Sequence, residues 1–379
     1  MSTRRYTLPV ETTQWRLPGS ETETIFNWEY DEGRERLLGL YEKGKEAQWN
    51  ASRALDWSVD VDMSDQGLMP DMQVPIFGSP TWEKLSRAEK DHVRHHVGAW
   101  LFSQFLHGEQ GALVCTAKIV QTVPDIDSKF YAATQVIDEA RHVEAYARFL
   151  NEKLELAYPI NHHLKTLLDQ TITDRRWDMT YLGMQMMIEG VAMAAFSMVR
   201  DLTQHPLGTS LNAFVMRDEA RHVAFGVVAL KDAYADLTAA ERNEREEFVV
   251  EASYLLRDRF LAEEVWEHLG FDVKECVRYV NEAQIMSFFR KQLFSRVVPN
   301  VKTIGLWGPR IQAAYTDMGV IDFQNEDVEQ TFAQDERIAA EIEQMLAARR
   351  AKGPLAGAGE APPASRAAEI ADTIARGQA

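Results

Sequence analysis

Two identical hexapeptides decide how this chain is read: Asp138-Glu-Ala-Arg-His-Val143 and Asp218-Glu-Ala-Arg-His-Val223. Each holds Glu-x-x-His. Residues three apart share one face of a helix. Glu139 with His142, and Glu219 with His222, can therefore each offer one oxygen and one nitrogen to a single metal ion. The copies lie 80 residues apart, and the spacing repeats upstream. Glu109 precedes Glu139 by 30 residues, and Glu189 precedes Glu219 by 30. The pattern reads as two helix pairs, each a lone-Glu helix followed by a Glu-x-x-His helix. One Glu-x-x-His alone is common on surface helices. Two identical copies with matched upstream glutamates are not explained that way.

The segments around the lone glutamates are apolar. Glu109 sits in Phe102-Ser-Gln-Phe-Leu-His-Gly-Glu-Gln-Gly-Ala-Leu-Val114, and Glu189 in Tyr181-Leu-Gly-Met-Gln-Met-Met-Ile-Glu-Gly-Val-Ala-Met-Ala-Ala-Phe196. A carboxylate buried there is costly unless it is paired or metal-bound. His107 lies close to Glu109, but the repeated spacing selects Glu109. The small neighbours Gly108, Gly111, Gly190 and Ala192 allow close helix approach or leave room for a ligand. Four carboxylates offset most of the charge of two divalent ions, and two imidazoles complete the set. Such oxygen and nitrogen ligands suit iron or manganese; no thiolate favours zinc or an iron–sulfur cluster. Metal-bound histidine usually passes its second ring N–H to a carboxylate, a carbonyl or water. Crosswise pairs are expected, Asp138 with His222 and Asp218 with His142, with Arg141 and Arg221 neutralising the aspartates. Helical spacing from the ligands nominates Phe105, Leu113, Met186, Met193 and Phe225 as pocket lining. Tyr146, four residues after His142, shares the site-facing stripe. It is either a packed tyrosine with a satisfied hydroxyl or a redox group beside the metals. His92, His95 and His96 read as solvated or capping residues. Cys115, six residues after Glu109, is expected to face away from the site.

The 379 residues carry a formal charge of -17. A surface of that sign repels nucleic-acid phosphates and anionic membranes, so neither is an expected partner. Cys115 and Cys276 are far apart and outside any CxxC spacing, and read as free thiols of a reducing, cytoplasmic compartment. The sequence shows no evident apolar run of about 18 residues, so no membrane span is expected. Residues 1–80 read as an N-terminal arm and loop with one short helix near 36–55. Residues 81–350 read as a helical domain, and 351–379, rich in Gly, Pro and Ala, as a disordered tail with a short Ala-rich helix near Ala367. Within the domain, helices are expected over about 88–123, 127–156 (capped by Asp127 or Ser128), 161–202 (interrupted near Thr173) and 210–235. A fifth follows Thr238-Ala-Ala-Glu241 to about Leu269, closed by Gly270, and a sixth follows Asp272 to about Val298. No alternating strand pattern is evident, so the fold class is all-α.

From Glu109 to His222 the sequence resembles the ferritin-like non-haem di-iron carboxylate oxygenase superfamily. Its bundles take one Glu from each of two helices and one Glu-x-x-His from each of the other two. Relatives include the ribonucleotide reductase small subunits, the multicomponent monooxygenase hydroxylases, the aldehyde-deformylating oxygenases and the p-aminobenzoate N-oxygenases. The departures differ by subfamily. The small subunits commonly have aspartate as first ligand, where Glu109 stands; Tyr146 matches their radical tyrosine, but the Ala/Pro-rich tail is unlike theirs. The hydroxylases carry threonine where Met193 stands. The arylamine N-oxygenases add a histidine ligand where Val215 stands.

The resemblance implies a four-helix bundle core with additional C-terminal helices, in which Glu109, Glu139, His142, Glu189, Glu219 and His222 hold two Fe ions (Mn/Fe or Mn being compatible with the same ligands). It implies O2-dependent oxidation of a small organic substrate by hydroxylation, N-oxygenation or a related reaction. The apolar pocket residues point to a largely apolar substrate. It also implies a ferredoxin or flavin reductase as electron donor, and a homodimer. The alternatives are a radical protein using Tyr146 and a ferroxidase or other metal-handling protein.

Overall fold

The computed structural model describes residues 22–26 and 34–352. Much of the expected arm, residues 1–21 and 27–33, lies outside the described residues, as do 353–379 of the expected tail, including the segment near Ala367. The elements are α1 (Glu35–Glu46), α2 (Ala51–Ala54), α3 (Pro80–Glu83), α4 (Arg87–Thr122), α5 (Ile126–Phe149), α6 (His162–Thr173), α7 (Trp177–Tyr181), α8 (Glu189–Leu202), α9 (Pro206–Ala233), α10 (Ala239–Asp258), α11 (Glu263–His268), α12 (Val273–Glu282), α13 (Gln284–Leu293), α14 (Val297–Thr303), α15 (Pro309–Asp317) and α16 (Val328–Lys352). Among the described residues there is no strand. The fold is all-α.

Four long rods make the core. The helices α4 and α5, joined by a three-residue link, pack along each other, as do α8 and α9; α5 also meets α9. The start of α4 is set by a capping box in which Ser86 and Glu89 satisfy each other's backbone N–H groups. Pro124 ends it. The N-cap of α5 is Asp125, whose Oδ1 accepts from Ser128 N at 2.8 Å, and not the expected Asp127 or Ser128. Both of those are buried instead. Pro206 occupies the first turn of α9, where its missing N–H costs nothing.

The third rod breaks at Asp174–Arg176, beside the expected Thr173. It resumes as α7, a π-helical stretch over Leu182–Ile188, and α8. Together, Trp177–Leu202 is long and apolar enough to cross a membrane, contrary to the sequence expectation. Its most apolar window is 83% buried in the bundle. A second π-helical turn, Leu150–Leu154, closes α5.

The accessory helices are more broken than the sequence pattern indicates. The segment expected as one helix to Leu269 turns at Arg259–Leu261 and reverses at Ala262, which has φ +54°. Gly270 does close it, at φ +72°. The segment after Asp272 divides into α12, α13 and α14. The expected helix over 36–55 divides at Ala47–Asn50, between α1 and α2. That break matters, because α1 packs on α5 and α9 and delivers Gln48 and Trp49 to the bundle.

Close approach of the rods depends on small residues. A Cβ at Gly226 of α9 would lie 2.6 Å from Gln185 Cβ and 2.7 Å from Met186 Cε; one at Gly39 in α1 would meet nothing. Overpacking a core typically costs 1–3 kcal/mol, whereas Gly to Ala in an exposed helix gains roughly 0.5–1 kcal/mol. Gly226→Val is therefore expected to lower the thermal midpoint by several degrees and Gly39→Ala to hold or raise it, as read by calorimetry. Equal effects at the two sites would contradict this packing.

Candidate metal centre

The four rods bring Glu109 (α4), Glu139 and His142 (α5), Glu189 (α8), and Glu219 and His222 (α9) into one buried cluster. Two groups form. Glu109, Glu139, His142 and Glu219 place ligand atoms within 4.8 Å of one another, as do Glu139, Glu189 and His222. Glu139 belongs to both. Glu219 reaches both histidines: its Oε1 is 3.3 Å from His142 Nδ1 and its Oε2 is 3.4 Å from His222 Nδ1. His142 Nδ1 also lies 3.0 Å from Glu109 Oε2 and 3.4 Å from Glu139 Oε2, and His222 Nδ1 lies 3.1 Å from Glu139 Oε1. Two atoms bound at right angles to one ion, each about 2.1 Å from it, stand about 3.0 Å apart. The separations fit ligands converging on a pair of ions. So does the state of the atoms. Glu139 Oε2, Glu189 Oε2, both Glu219 oxygens and His222 Nδ1 are buried without a hydrogen-bond partner. Buried polar atoms are seldom left so.

Behind the histidines the motifs cross. His142 Nε2–H donates to Asp218 Oδ2 at 3.2 Å, and His222 Nε2–H donates to Asp138 Oδ2 at 3.3 Å. That leaves each Nδ1 facing inward with its lone pair. The aspartates are charge-balanced from both motifs. Arg141 bonds Asp138 on its own helix and Asp218 across the bundle at 3.0 Å. Arg221 bonds Asp218 at 2.7 Å and Asp138 at 3.3 Å. Three further groups escaped the sequence reading. Trp49 Nε1 donates to Asp218 at 2.7 Å, Gln48 Nε2 to Asp138 at 3.0 Å, and Arg217 to Asp218 at 3.2 Å. Only Arg217, adjacent to the motif, carried a local signal. A fourth, Gln135, lies four residues before Glu139 on the same stripe. Its Nε2 bridges Glu139 Oε1 at 3.0 Å and Glu189 Oε1 at 2.9 Å.

The electrostatics follow from burial and crowding. Burial, with the charges of Glu219 and Glu139, pushes the Glu109 carboxyl well above the usual range, against the pull of His142. Burial and Glu219 do the same to Glu189. Burial alone would lower the two histidines, but Glu109 and Asp218 raise His142 strongly, and Glu219 and Glu139 raise His222. Burial would raise Glu139, but His222 and His142 outweigh it and hold it low. Burial likewise opposes ionisation of Asp218, and Arg221, His142 and Arg217 override it. Without metal, the cluster holds protons on the groups whose lone pairs a metal would need.

Tyr146 is fully buried and donates to Asn212 Oδ1 at 3.1 Å, among Phe102, Phe105 and Phe196. Burial, then Glu109 and Glu219, hold its hydroxyl protonated. His107 is turned from the site and donates to Tyr158 O at 2.8 Å. His95 caps the Leu154 carbonyl, whereas His96, expected to be solvated or capping, is buried and bonds the Tyr158 hydroxyl. Cys115, expected to face away from the site, is buried, and burial raises its thiol, with Glu189 and Glu139 within electrostatic reach.

A cavity of about 20 Å³ opens against Glu109, Glu189 and Glu219, walled by Phe105, Met184, Ala192, Phe196, Arg259 and Phe260 among others. Of the nominated pocket residues, Phe105 lines it. Leu113, Met186, Met193 and Phe225 do not: Leu113 is half-buried elsewhere, Met186 abuts Gly226, and Phe225 stacks against Tyr131 and Tyr181. At Met186, counting by 3.6 fails because Leu182–Ile188 is π-helical. Its wider turn brings Met184, five residues before Glu189, onto the site face.

Residues 31–305 match the family model described as p-aminobenzoate N-oxygenase AurF. The chain belongs to this family. It is a non-haem di-iron carboxylate oxygenase, an oxidoreductase with a ferritin-like fold. Val215, buried in α9, nonetheless stands where resemblance to the N-oxygenases places an additional histidine. Among solved structures, an R2-like ligand-binding oxidase with aerobically reconstituted metal cofactor after photoconversion is 15% identical, covers 75% of this chain and 100% of its own, and aligns with a TM-score of 0.50. A second, with aerobically reconstituted Mn/Fe cofactor after a long soak, is 16% identical over 71% of this chain and 98% of its own, with a TM-score of 0.42. No curated protein matches.

Removing a carboxylate that orients a metal-bound histidine typically lowers metal affinity 10–100-fold. Asp218→Asn is expected to weaken iron binding by about that factor, and Asp138→Asn likewise, measured by competition with a chelator. Affinity unchanged in both would remove the aspartates from the centre. A second expectation concerns pH. Metal must displace protons from His142, His222, Glu109 and Glu189, all of whose protonated forms are favoured. Iron affinity should therefore fall as pH drops from about 8 to 6, with net proton release on binding. Calorimetry in buffers of different ionisation enthalpy reads both, and a flat profile would contradict the account.

Proposed function

We propose that this oxygenase carries out O2-dependent oxidation, N-oxygenation in the first instance, of a small amine-bearing organic molecule held in the cavity beside Glu109, Glu189 and Glu219. The observation that carries this reading is a buried cluster of unpartnered carboxylate and imidazole atoms, of which Glu189 and Glu219 also wall a cavity lined mainly by apolar side chains. Glu109, Glu139, His142, Glu189, Glu219 and His222 would hold the two metal ions, Glu139 being the residue common to both ligand groups. Bound there, iron supplies the electrons for O2 chemistry.

The protein's own part is positioning and exclusion of water. Asp138 and Asp218 fix the tautomer of the histidines. Gln135 holds Glu139 and Glu189 in register. Phe105, Phe196 and Phe260 would keep the cavity dry; Phe105 and Phe196 meet edge to face at 4.6 Å. Tyr146, its hydroxyl bound to Asn212, is read as a packing residue against Phe105 and Phe196. Turnover in this reading takes electrons from a ferredoxin or flavin reductase. The two unpaired buried thiols accord with a cytoplasmic protein, and a homodimer is the assembly expected of the class.

The test is reconstitution with Fe(II) under anaerobic conditions, iron counting, and exposure to O2 with 4-aminobenzoate and other arylamines. Two irons per chain and a product heavier by oxygen are expected. Glu139→Ala and Glu219→Ala should each lose stoichiometric iron and all product. Full iron retention in both variants, or two irons with O2 consumed and no amine ever oxygenated, would sink the reading.

A further inference from the structure

Three histidines that the carboxylate centre does not use gather at the N-terminal end of α4. His92 and His96 stand one helical turn apart on one face of α4. His268 ends α11, which packs against α4. The two helices run in opposite directions there. Trp100 Nε1 donates to Glu264 Oε1 at 2.6 Å. One turn along each helix, His96 meets His268, with ring centroids 5.0 Å apart. One turn further on α4, the His92 ring stands 4.4 Å from that of His96. His96 therefore has an imidazole neighbour from each helix.

His96 is held unlike the other two. It is buried, whereas His92 and His268 are exposed. Its Nδ1 lies 2.7 Å from the hydroxyl of Tyr158, itself buried, and its Nε2 takes no hydrogen bond among the described residues. With Nδ1–H donating to the tyrosine oxygen, Nε2 keeps its lone pair, which is how an outer partner orients a metal-binding histidine. Burial, and then His92, His268 and His95, pull the pKa of the ring down to about 4, so it is neutral near pH 7. His95 is the contrast, with its Nε2 spent on the Leu154 carbonyl at 2.7 Å. Two imidazoles sharing an ion, each through a nitrogen about 2.1 Å from it, hold their centroids about 4.6–5.3 Å apart for angles between a right angle and a tetrahedral one. The observed 4.4 and 5.0 Å stand close to that. The three do not yet place ligand atoms within 4.8 Å of one another; His92 and His268, being exposed, can turn toward His96 Nε2.

We propose that His92, His96 and His268 form a second metal site, separate from the carboxylate centre, for a divalent ion of the zinc class with water as its fourth ligand. A set of imidazoles without carboxylate suits zinc, copper or nickel, and three protein ligands leave one position open. The ion ties α11 to α4. The helix α11 starts just after Ala262, three residues from Phe260, whose side chain walls both the inner cavity and an outer chamber of about 460 Å³. Filling the histidine site therefore stiffens the segment that carries this wall.

The test is calorimetric titration of the full, iron-loaded chain with zinc chloride, iron being counted before and after. Wild type should take up one zinc per chain and lose no iron. His92→Ala and His268→Ala, both at exposed positions, should each weaken zinc more than about 10-fold, and Tyr158→Phe, which removes the group that orients His96, about 10-fold. His95→Ala should leave zinc binding unchanged. Zinc bound only in exchange for iron overturns the proposal. So does zinc affinity unchanged in His268→Ala, or lowered as far in His95→Ala as in His268→Ala. Should the carboxylate centre not load with iron, the same titration of the metal-free chain decides: His268→Ala should lose one zinc per chain that Glu139→Ala keeps, and equal zinc in wild type and His268→Ala overturns the site.

Discussion

Glu109, Glu139, Glu189 and Glu219 are all buried, and four carboxylates inside one apolar bundle are the constraint that the surrounding structure answers. Left alone, such a cluster is neutralised by protons or breaks the fold, since an uncompensated buried charge costs several kcal/mol. Here compensation comes from two sides. On the inner side, ligand atoms face each other at 3.0–3.4 Å with their partners withheld. On the outer side, Arg141, Arg217 and Arg221 balance Asp138 and Asp218, which in turn hold the histidines. The inner set is left frustrated, and the outer set is tied together by ion pairs and hydrogen bonds, with only Arg141 Nε and Arg221 Nε among its atoms buried without a partner. Metal binding thus adds to folding stability.

The members of the buried cluster were legible because the pattern is written twice. A helix that must present Glu-x-x-His inward leaves no freedom in register, so the repeat at 80 residues exposes all six residues of the cluster and both crosswise aspartates. Gln48 and Trp49 were not legible. They come from the break between α1 and α2, 90 and 169 residues from the aspartates they serve, and nothing local marks a residue that acts at such a distance. Arg259 was hidden for another reason. The pattern after Thr238 reads as one long helix, and a charged residue on it reads as surface. The turn at Arg259–Leu261 swings it inward instead. The α8 side of the cavity was misread at Met186 because Leu182–Ile188 abandons the 3.6 period on which the counting rested.

Superposing the two halves by their offset separates what the metals require from what the substrate requires. The ligands obey it: Glu109 with Glu189, Glu139 with Glu219, His142 with His222. The residues around them do not. Gln135, which bridges two ligands, is matched by Val215. Phe105, on the cavity wall, is matched by Gln185, whose amide is buried without a partner beside Gly226. Tyr146 is matched by Gly226, where α9 admits Gln185 and Met186. One side of the pseudo-symmetric centre is therefore filled by close helix contact, and the other is left open between Phe105, Ala192 and Phe196.

That asymmetry gives the centre a direction. A pair of metals held by a symmetric ligand set has no preferred face. Substrate can approach only where the second half fails to repeat the packing of the first, and the structure opens on that face toward Phe260 and the outer chamber. Val215 belongs to the same argument. A nitrogen ligand there would add a seventh group on the α9 side; a buried valine leaves six, and Gln135 on α5 constrains Glu139 and Glu189 by hydrogen bonds. The carboxylate nearest the cavity on α8, Glu189, is thereby held from one oxygen only, with Oε2 free. In a site where carboxylates must shift as ions and substrate enter, this is the ligand with room to move, and it lines the wall that faces Arg259.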